Sequence, residues 1–247
     1  MSATKTELTP EVLLAAYARG FFPMAPARDS KELRWYEPEV RGILPLETFH
    51  VPRSLQRVMR LRSYRVTFDS LFEEVIRHCA DVRAETWIND QIIALYTELY
   101  HQGHAHSVEV IEDGKLTGGL YGIAMGGAFF GESMFSLKSG ASKIALVHLA
   151  ARLKENGFLL LDAQFPNAHL KQFGLEEIPK AEYRQRLAKA LQSPVPGAGA
   201  SSSSSVFSSS FAGGAGVSGA AAGVSSAENS CGFEAVAAFL QSITHTS

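Results

Sequence analysis

Cysteine is scarce in this chain, and so are long apolar runs and any excess of one charge. Only two cysteines occur in 247 residues, Cys79 and Cys231, far apart and in no CxxC or Cys/His cluster. That usage argues against a disulfide framework or a thiolate metal site, and a reducing cytoplasmic setting is expected. Nothing approaches the ~18 consecutive apolar residues of a membrane span, so no membrane partner is expected. The N-terminus, MSATKTELTPEV, lacks the basic-then-apolar layout of a signal peptide. With a net charge of −2, the chain is not a polycation. If it binds RNA, a local basic patch must do so. There is no Walker A loop and no GxGxxG, so ATP and dinucleotides have no signature.

What is present suits a folded domain. Hydrophobic residues make up 46% and charged residues 19% of the chain. The length allows one full core, or one plus a small satellite. Thr9-Pro10-Glu11 reads as a helix start, with a cap, a proline at the first position and an acid in the first turn. Gly20 ends that helix, and we take 1–45 as a small N-terminal unit packed on a main domain over 46–192. A helix over 69–82 is expected to open at Asp69 or Ser70 with Glu73 as its capping-box partner. Another over 90–102 is capped by Asn89 and stopped by Gly103. His104 and His106 share a strand face, but no third ligand stands at a fitting spacing, so structural histidines are favoured over zinc.

Residues 118–164 organise the rest. Gly126-Gly127 suits the positive φ of a hairpin turn between two strands. Alternation puts Phe130, Glu132 and Met134 on one face of the second strand, where a carboxylate needs a partner. A helix follows, with Leu146, Leu149, Ala150 and Leu153 at i, i+3, i+4 and i+7 and Gly157 at its end. The next strand is apolar until it delivers Asp162 and Gln164 to one face, ~6–7 Å apart. Polar groups at the end of a buried strand mark a candidate site.

Upstream, HVPRSLQRVMRLRSYR carries five arginines and no acid at 50–65. Arg53, Arg57 and Arg60 recur at helical spacing, and the missing counter-charge favours phosphate binding over a merely solvated face. After Leu191 the composition breaks. Residues 193–230 are mostly Ser, Gly and Ala, with only Glu228 charged, so a disordered insertion is expected there. Phe233, Val236, Ala237 and Leu240 return at helical spacing, so 231–247 is expected to dock on the core.

The motifs GGLYG, GESMFS, ASK at 141–143 and LDAQ, with Asn167 and His169 after them, resemble the leucyl/phenylalanyl-tRNA–protein transferases. So do YARGFFP at 17–23 and the Trp87-Ile88 pair, and the resemblance extends from about residue 8 to 191. It implies transfer of Leu or Phe, and Met as a further donor, from aminoacyl-tRNA to the N-terminal Arg or Lys of a protein, marking that protein for degradation. The ester is already activated, so no cofactor and no metal are expected, and the partners are charged tRNA and acceptor proteins. A cytoplasmic monomer is expected. The implied fold class is α/β (α+β), an acetyltransferase-like (GNAT-like) mixed sheet with flanking helices plus the small N-terminal unit.

By the same resemblance the catalytic set is Asp162, Gln164 and Glu132. Asp162 would orient Gln164 and hold the acceptor's ammonium, and Gln164 would bond the attacking amine, as a proton relay or by positioning alone. Glu132 would line the donor site. Leu120, Phe129, Leu146, Leu149 and Leu161 match the side-chain pocket, where burying Leu or Phe gains ~1.5–3 kcal/mol. Trp87 and Tyr96 match positions beside the 3′ adenosine, with Tyr17 and Met24 in the same neighbourhood. Met24 stands where the family commonly has Trp. Leu137 stands where it has Arg, and Lys138 would replace that charge. Arg53 and Arg57, with Arg60, would meet acceptor-stem phosphates. Two rival readings remain. One is an acyl-CoA-dependent N-acyltransferase, although the loop Leu137-Lys-Ser-Gly-Ala-Ser142, at the start of the helix that Gly157 ends, misses the first and last positions of a pyrophosphate-binding pattern. The other is a non-catalytic RNA-binding module.

Overall fold

The computed structural model describes residues 8–82, 85–193 and 211–213. The expected C-terminal element at 231–247, with Cys231, lies outside the described residues. The chain opens with α1 (Pro10–Tyr17), β1 (Phe22–Met24), β2 (Arg34–Tyr36) and β3 (Val40–Leu44). Next come α2 (Arg53–Leu61), β4 (Tyr64–Phe68), α3 (Phe72–Asp81) and α4 (Asp90–His101). The centre is β5 (Ala105–Glu112), β6 (Lys115–Met125), β7 (Ala128–Ser136), α5 (Ala141–Glu155) and β8 (Leu160–Gln164). It closes with β9 (Glu176–Pro179), α6 (Lys180–Leu191) and β10 (Phe211–Gly213).

Eight strands form one mixed sheet in the order β10-β4-β5-β6-β7-β8-β3-β9. All neighbours are antiparallel except β7 and β8, which α5 joins as a crossover between parallel strands. Helices cover both faces. Leu146, Leu149 and Leu153 of α5 and Leu55 and Met59 of α2 pack with Leu120, Phe129 and Leu161 on one face. On the other, α1, α3, α4 and α6 contribute Leu13, Val75, Ile92, Tyr96, Tyr183 and Leu187 to a second core with Tyr121 and Phe130. The fold is thus mixed α/β with flanking helices, three layers thick. Among the described residues, no helix is long and apolar enough to cross a membrane.

Local signals explain most element ends. Thr9 accepts from the Val12 amide at the start of α1, and Asn89 accepts from Ile92 at the start of α4. Gly126 turns β6 into β7 at φ +52, and the turn docks on α6 through Gly127 N–H to the Ala190 carbonyl, 2.7 Å.

Three expectations change. No side chain caps α3 from Asp69 or Ser70: the Ser70 hydroxyl donates to the Phe68 carbonyl, and Leu71 precedes the helix. The buried Glu109 carboxylate instead accepts from the Leu71 amide, and from the Thr67 and Ser107 hydroxyls at 2.5 Å each. A tertiary acceptor wins because it also satisfies its own buried charge. The expected N-terminal unit ends in β3, yet β3 lies inside the main sheet between β8 and β9. Finally, three residues of the stretch expected to be disordered, Phe211–Gly213, pair antiparallel with β4. That edge offers unpaired backbone donors and acceptors to any passing segment.

His106 pairs with Asp69 at 2.8 Å, as a structural histidine does. Among the described residues, no cluster of three or more His, Cys, Asp or Glu could hold a metal.

Gly122 lies where β6 meets β7 most closely: a Cβ there would fall 2.2 Å from the Phe130 carbonyl oxygen and 2.4 Å from the Phe129 ring. Gly122→Ala should therefore destabilise the fold by more than about 2 kcal/mol, read as a lowered urea midpoint. A midpoint equal to wild type would mean these strands yield at no cost.

Candidate active site

A cavity of about 300 Å³ opens between α5 and the β7–β8 strands. Leu120, Met134, Leu146, Leu149 and Leu161 form its apolar wall, and Glu132, Asp162 and Gln164 its polar wall. Half-buried Met24 and Trp87 also line it, with Phe165, which is 42% exposed, and Asn167. Four of the five expected pocket residues thus meet in one hollow. Phe129 is the exception. It is fully buried in the same core as the four leucines, against Gly122 and paired with Leu161, so it supports the wall without lining the cavity.

A β-bulge puts Glu132 there. Gly122 pairs with Gly131 and Tyr121 with Ser133, which leaves Glu132 as the extra residue on β7. The bulge resets the alternation that the sequence implied. Phe130 and Phe135 share one core, whereas Met134 packs against the other. The three residues expected on one face are therefore split. The extra residue turns its carboxylate to the cavity, where the Tyr17 hydroxyl donates to Oε1 at 2.6 Å and the Tyr96 hydroxyl to Oε2 at 3.1 Å. Gln164 Nε2 donates to Oε1 at 2.8 Å. The two tyrosine hydroxyls are 2.5 Å from each other. All these partners are neutral, and among the described residues Glu132 has no ion pair. Burial pushes its carboxyl up to about 7 despite the hydroxyl bonds that oppose the shift. Burial, reinforced by Glu132, drives the Tyr17 and Tyr96 hydroxyls well above the usual range.

Tyr17 and Tyr96 are both fully buried, so neither ring is open for a base to stack on. They belong to the site through their hydroxyls. Of the expected aromatic platform, Trp87 remains, with Met24 beside it on the cavity wall.

Asp162 has no exposed surface, and its surroundings are the opposite of those of Glu132. Arg41 grips it with Nε to Oδ1 at 2.9 Å and Nη2 to Oδ2 at 2.6 Å. The Tyr183 hydroxyl donates to Oδ2 at 2.7 Å, and the Gln164 backbone N–H to Oδ1 at 2.8 Å. The pairing of β3 with β8 slips between Gly42 and Ile43, and Gln164 sits at φ +62. That conformation is uncommon for a residue with a side chain and clusters at functional sites. It swings the Gln164 amide to Glu132 while the backbone stays on Asp162.

The sequence reading missed Arg41 and Tyr183. Arg41 left one signal, a lone charge inside the apolar-ended strand Val-Arg-Gly-Ile-Leu; Tyr183 left none.

Residues 43–188 match the leucyl/phenylalanyl-tRNA protein transferase family, and residues 6–39 match the N-terminal domain of the same family. The chain belongs to the leucyl/phenylalanyl-tRNA protein transferases. A leucyl/phenylalanyl-tRNA–protein transferase of Paramagnetospirillum magneticum is 58% identical over 187 residues, covering 74% of this chain and 90% of the relative. One of Hyphomonas neptunium is 55% identical over 186 residues, covering 74% of this chain and 72% of the relative.

The basic run of this transferase divides in two. Arg53, Arg57 and Arg60 lie exposed on α2 and form no ion pair among the described residues. Arg62 instead donates to Glu112 at 2.9 Å and to the Ser139 carbonyl at 2.8 Å. Lys138 is paired with Glu112 at 3.2 Å and Asp113 at 3.4 Å. Its side chain stays 45% exposed at the surface beside Leu137.

Because the folded protein lifts the Glu132 carboxyl from 4.5 to about 7, it holds a proton that the unfolded chain releases between those values. The contribution to stability is full below the unfolded value and is lost as pH rises through the folded one, on the order of 3 kcal/mol in all. Urea titrations at about pH 5 and about pH 8 should show that loss in the wild type and not in Glu132→Gln. Equal pH slopes in the two proteins would mean that Glu132 is ionised throughout.

Proposed function

We propose that the protein transfers Leu or Phe, and also Met, from aminoacyl-tRNA to an N-terminal Arg or Lys, forming a peptide bond that marks the acceptor for degradation in the cytoplasm. The observation that carries this reading is one hollow walled by leucines on one side and by Glu132, Asp162 and Gln164 on the other. Its apolar wall suits Leu, Phe and Met side chains and would leave a charged one unpaired. One or two methylenes make little difference there, which fits several donors rather than one.

The chemistry asks for little beyond placement. The acceptor amine attacks the ester carbonyl carbon; the C–N bond forms, the bond to the ribose 3′ oxygen breaks, and that oxygen leaves with a proton. Gln164 is set for the amine. With Nε2 committed to Glu132, its Oε1 is the amide atom left to accept from the attacking N–H. Glu132, poised near neutrality without a cation, can take up the proton released when the acceptor's ammonium becomes a nucleophile. The same carboxylate, when ionised, offers that ammonium a negative charge that no cation among the described residues pairs with.

Parallel pairing of β7 and β8 around the α5 crossover supports an acetyltransferase-like architecture. The corresponding acyl-CoA chemistry has less support. At the α5 N-terminus, Ser142 N–H donates to the Ser136 hydroxyl at 2.9 Å and Ala141 N–H to the Lys138 carbonyl at 3.1 Å. Two donors that a pyrophosphate would need are already engaged.

Incubating the protein with labelled Phe-tRNA and an Arg-starting peptide, without ATP or added metal, should move label into the peptide. Saturable acyl-CoA binding with no such transfer would overturn the reading. Exposed Arg53, Arg57 and Arg60 are the expected phosphate contacts. Replacing all three with Ala should weaken tRNA binding and flatten its dependence on salt by up to about 0.9 in log–log slope per charge. An unchanged slope would remove α2 from the tRNA interface.

A further inference from the structure

We propose that Arg41 and Tyr183 are positioning residues for aminoacyl transfer: together they saturate the Asp162 carboxylate, so that it serves as a fixed anchor for Gln164 and not as a carrier of protons. The proposal rests on the transfer reaction proposed above and goes beyond it by naming two residues on other elements that act through Asp162.

A carboxylate offers about four lone-pair directions. On Asp162 all are used, since Oδ1 accepts from Arg41 Nε and the Gln164 backbone, and Oδ2 from Arg41 Nη2 and the Tyr183 hydroxyl. No direction is left for an incoming amine. Handing a proton to Asp162 would first require breaking one of these charge-assisted bonds in a site with no exposed surface.

Arg41 cannot relax away from its task. Its Nη1 donates to the Gly20 carbonyl at 3.0 Å, and its guanidinium lies 4.7 Å from the Phe22 ring centre and 4.3 Å from that of Tyr183. A planar fork held between two rings fixes the direction of both bonds it makes. The chain of contacts runs from the Gly20 carbonyl through Arg41 to Asp162, and from there to the backbone of Gln164 at its left-handed φ. Tyr183 on α6 closes the second oxygen. Three separate parts of the chain thereby set the angle at which one amide meets the amine.

Tyr183→Phe tests this without removing the ring that covers Arg41. For peptide acceptors, kcat should fall about tenfold while KM for Phe-tRNA stays within about twofold, as when an interaction realised only in the transition state is lost. The same substitution made in Asp162→Ala should have no further effect on kcat, because its target is gone. Hydrogen exchange at the Gln164 amide should be at least about tenfold faster in Tyr183→Phe than in wild type. Arg41→Lys should reproduce both effects, since it keeps the charge and loses the fork. An unchanged kcat with an equally protected Gln164 amide would overturn the proposal. So would a kcat loss of the same size in the Asp162→Ala background. If the wild type shows no transfer at all, the assigned reaction fails, while the exchange measurement still decides whether Tyr183 and Arg41 hold Gln164.

Discussion

A carboxylate with no exposed surface is costly unless its charge is compensated, and the way Asp162 is answered by Arg41 shapes everything around the cavity. The two are 2.6 Å apart and effectively dry. Desolvating such a pair roughly cancels its attraction, so it adds little net stability, yet removing one partner strands a charge at a cost of about 3–5 kcal/mol. What the pair supplies is geometry. It can form only if β3 runs between β8 and β9, if the Gly20 turn presents its carbonyl, and if α6 brings Tyr183 over the guanidinium. The turn after α1, the sheet and α6 are thus tied to one point.

The second carboxylate is treated differently. Glu132 shares the cavity with Asp162 but, among the described residues, is met only by hydroxyls and an amide. Placing two like groups in one hollow and balancing only one of them separates their tasks. The balanced group stays fixed, and the unbalanced one is free to respond to a proton or to a substrate's positive charge. Gln164 bridges them, with its backbone on one and its side chain on the other. The amide therefore reports the state of both.

Much of this was readable in residue order. The caps at Thr9 and Asn89, the glycine turn at Gly126, the apolar α5 and the polar end of β8 all depend on neighbours within a few positions, and each appears where local chemistry puts it. The motifs around Glu132 and Asp162 carried the family. Where the reading went astray, a distant group had intervened. Glu109 displaced a plausible cap on α3, the bulge at Glu132 separated Phe130 from Met134, and Glu112 supplied Arg62 with the counter-charge that residues 50–65 lack. Tyr96 had the residue type of a stacking platform but is fully buried, its hydroxyl engaged by Glu132.

The sequence by itself determined the helices with the caps at Thr9 and Asn89, the strand–helix–strand core and the reacting residue types, because these follow from periodicity and short-range hydrogen bonding. Only the tertiary structure decided which carboxylate is neutralised and which is left near its titration point. That outcome depends on a guanidinium 121 positions away from Asp162 and a hydroxyl 115 positions away from Glu132. Charge state in a buried site is set by what stands within a few ångströms in space, and no local pattern in the chain encodes it.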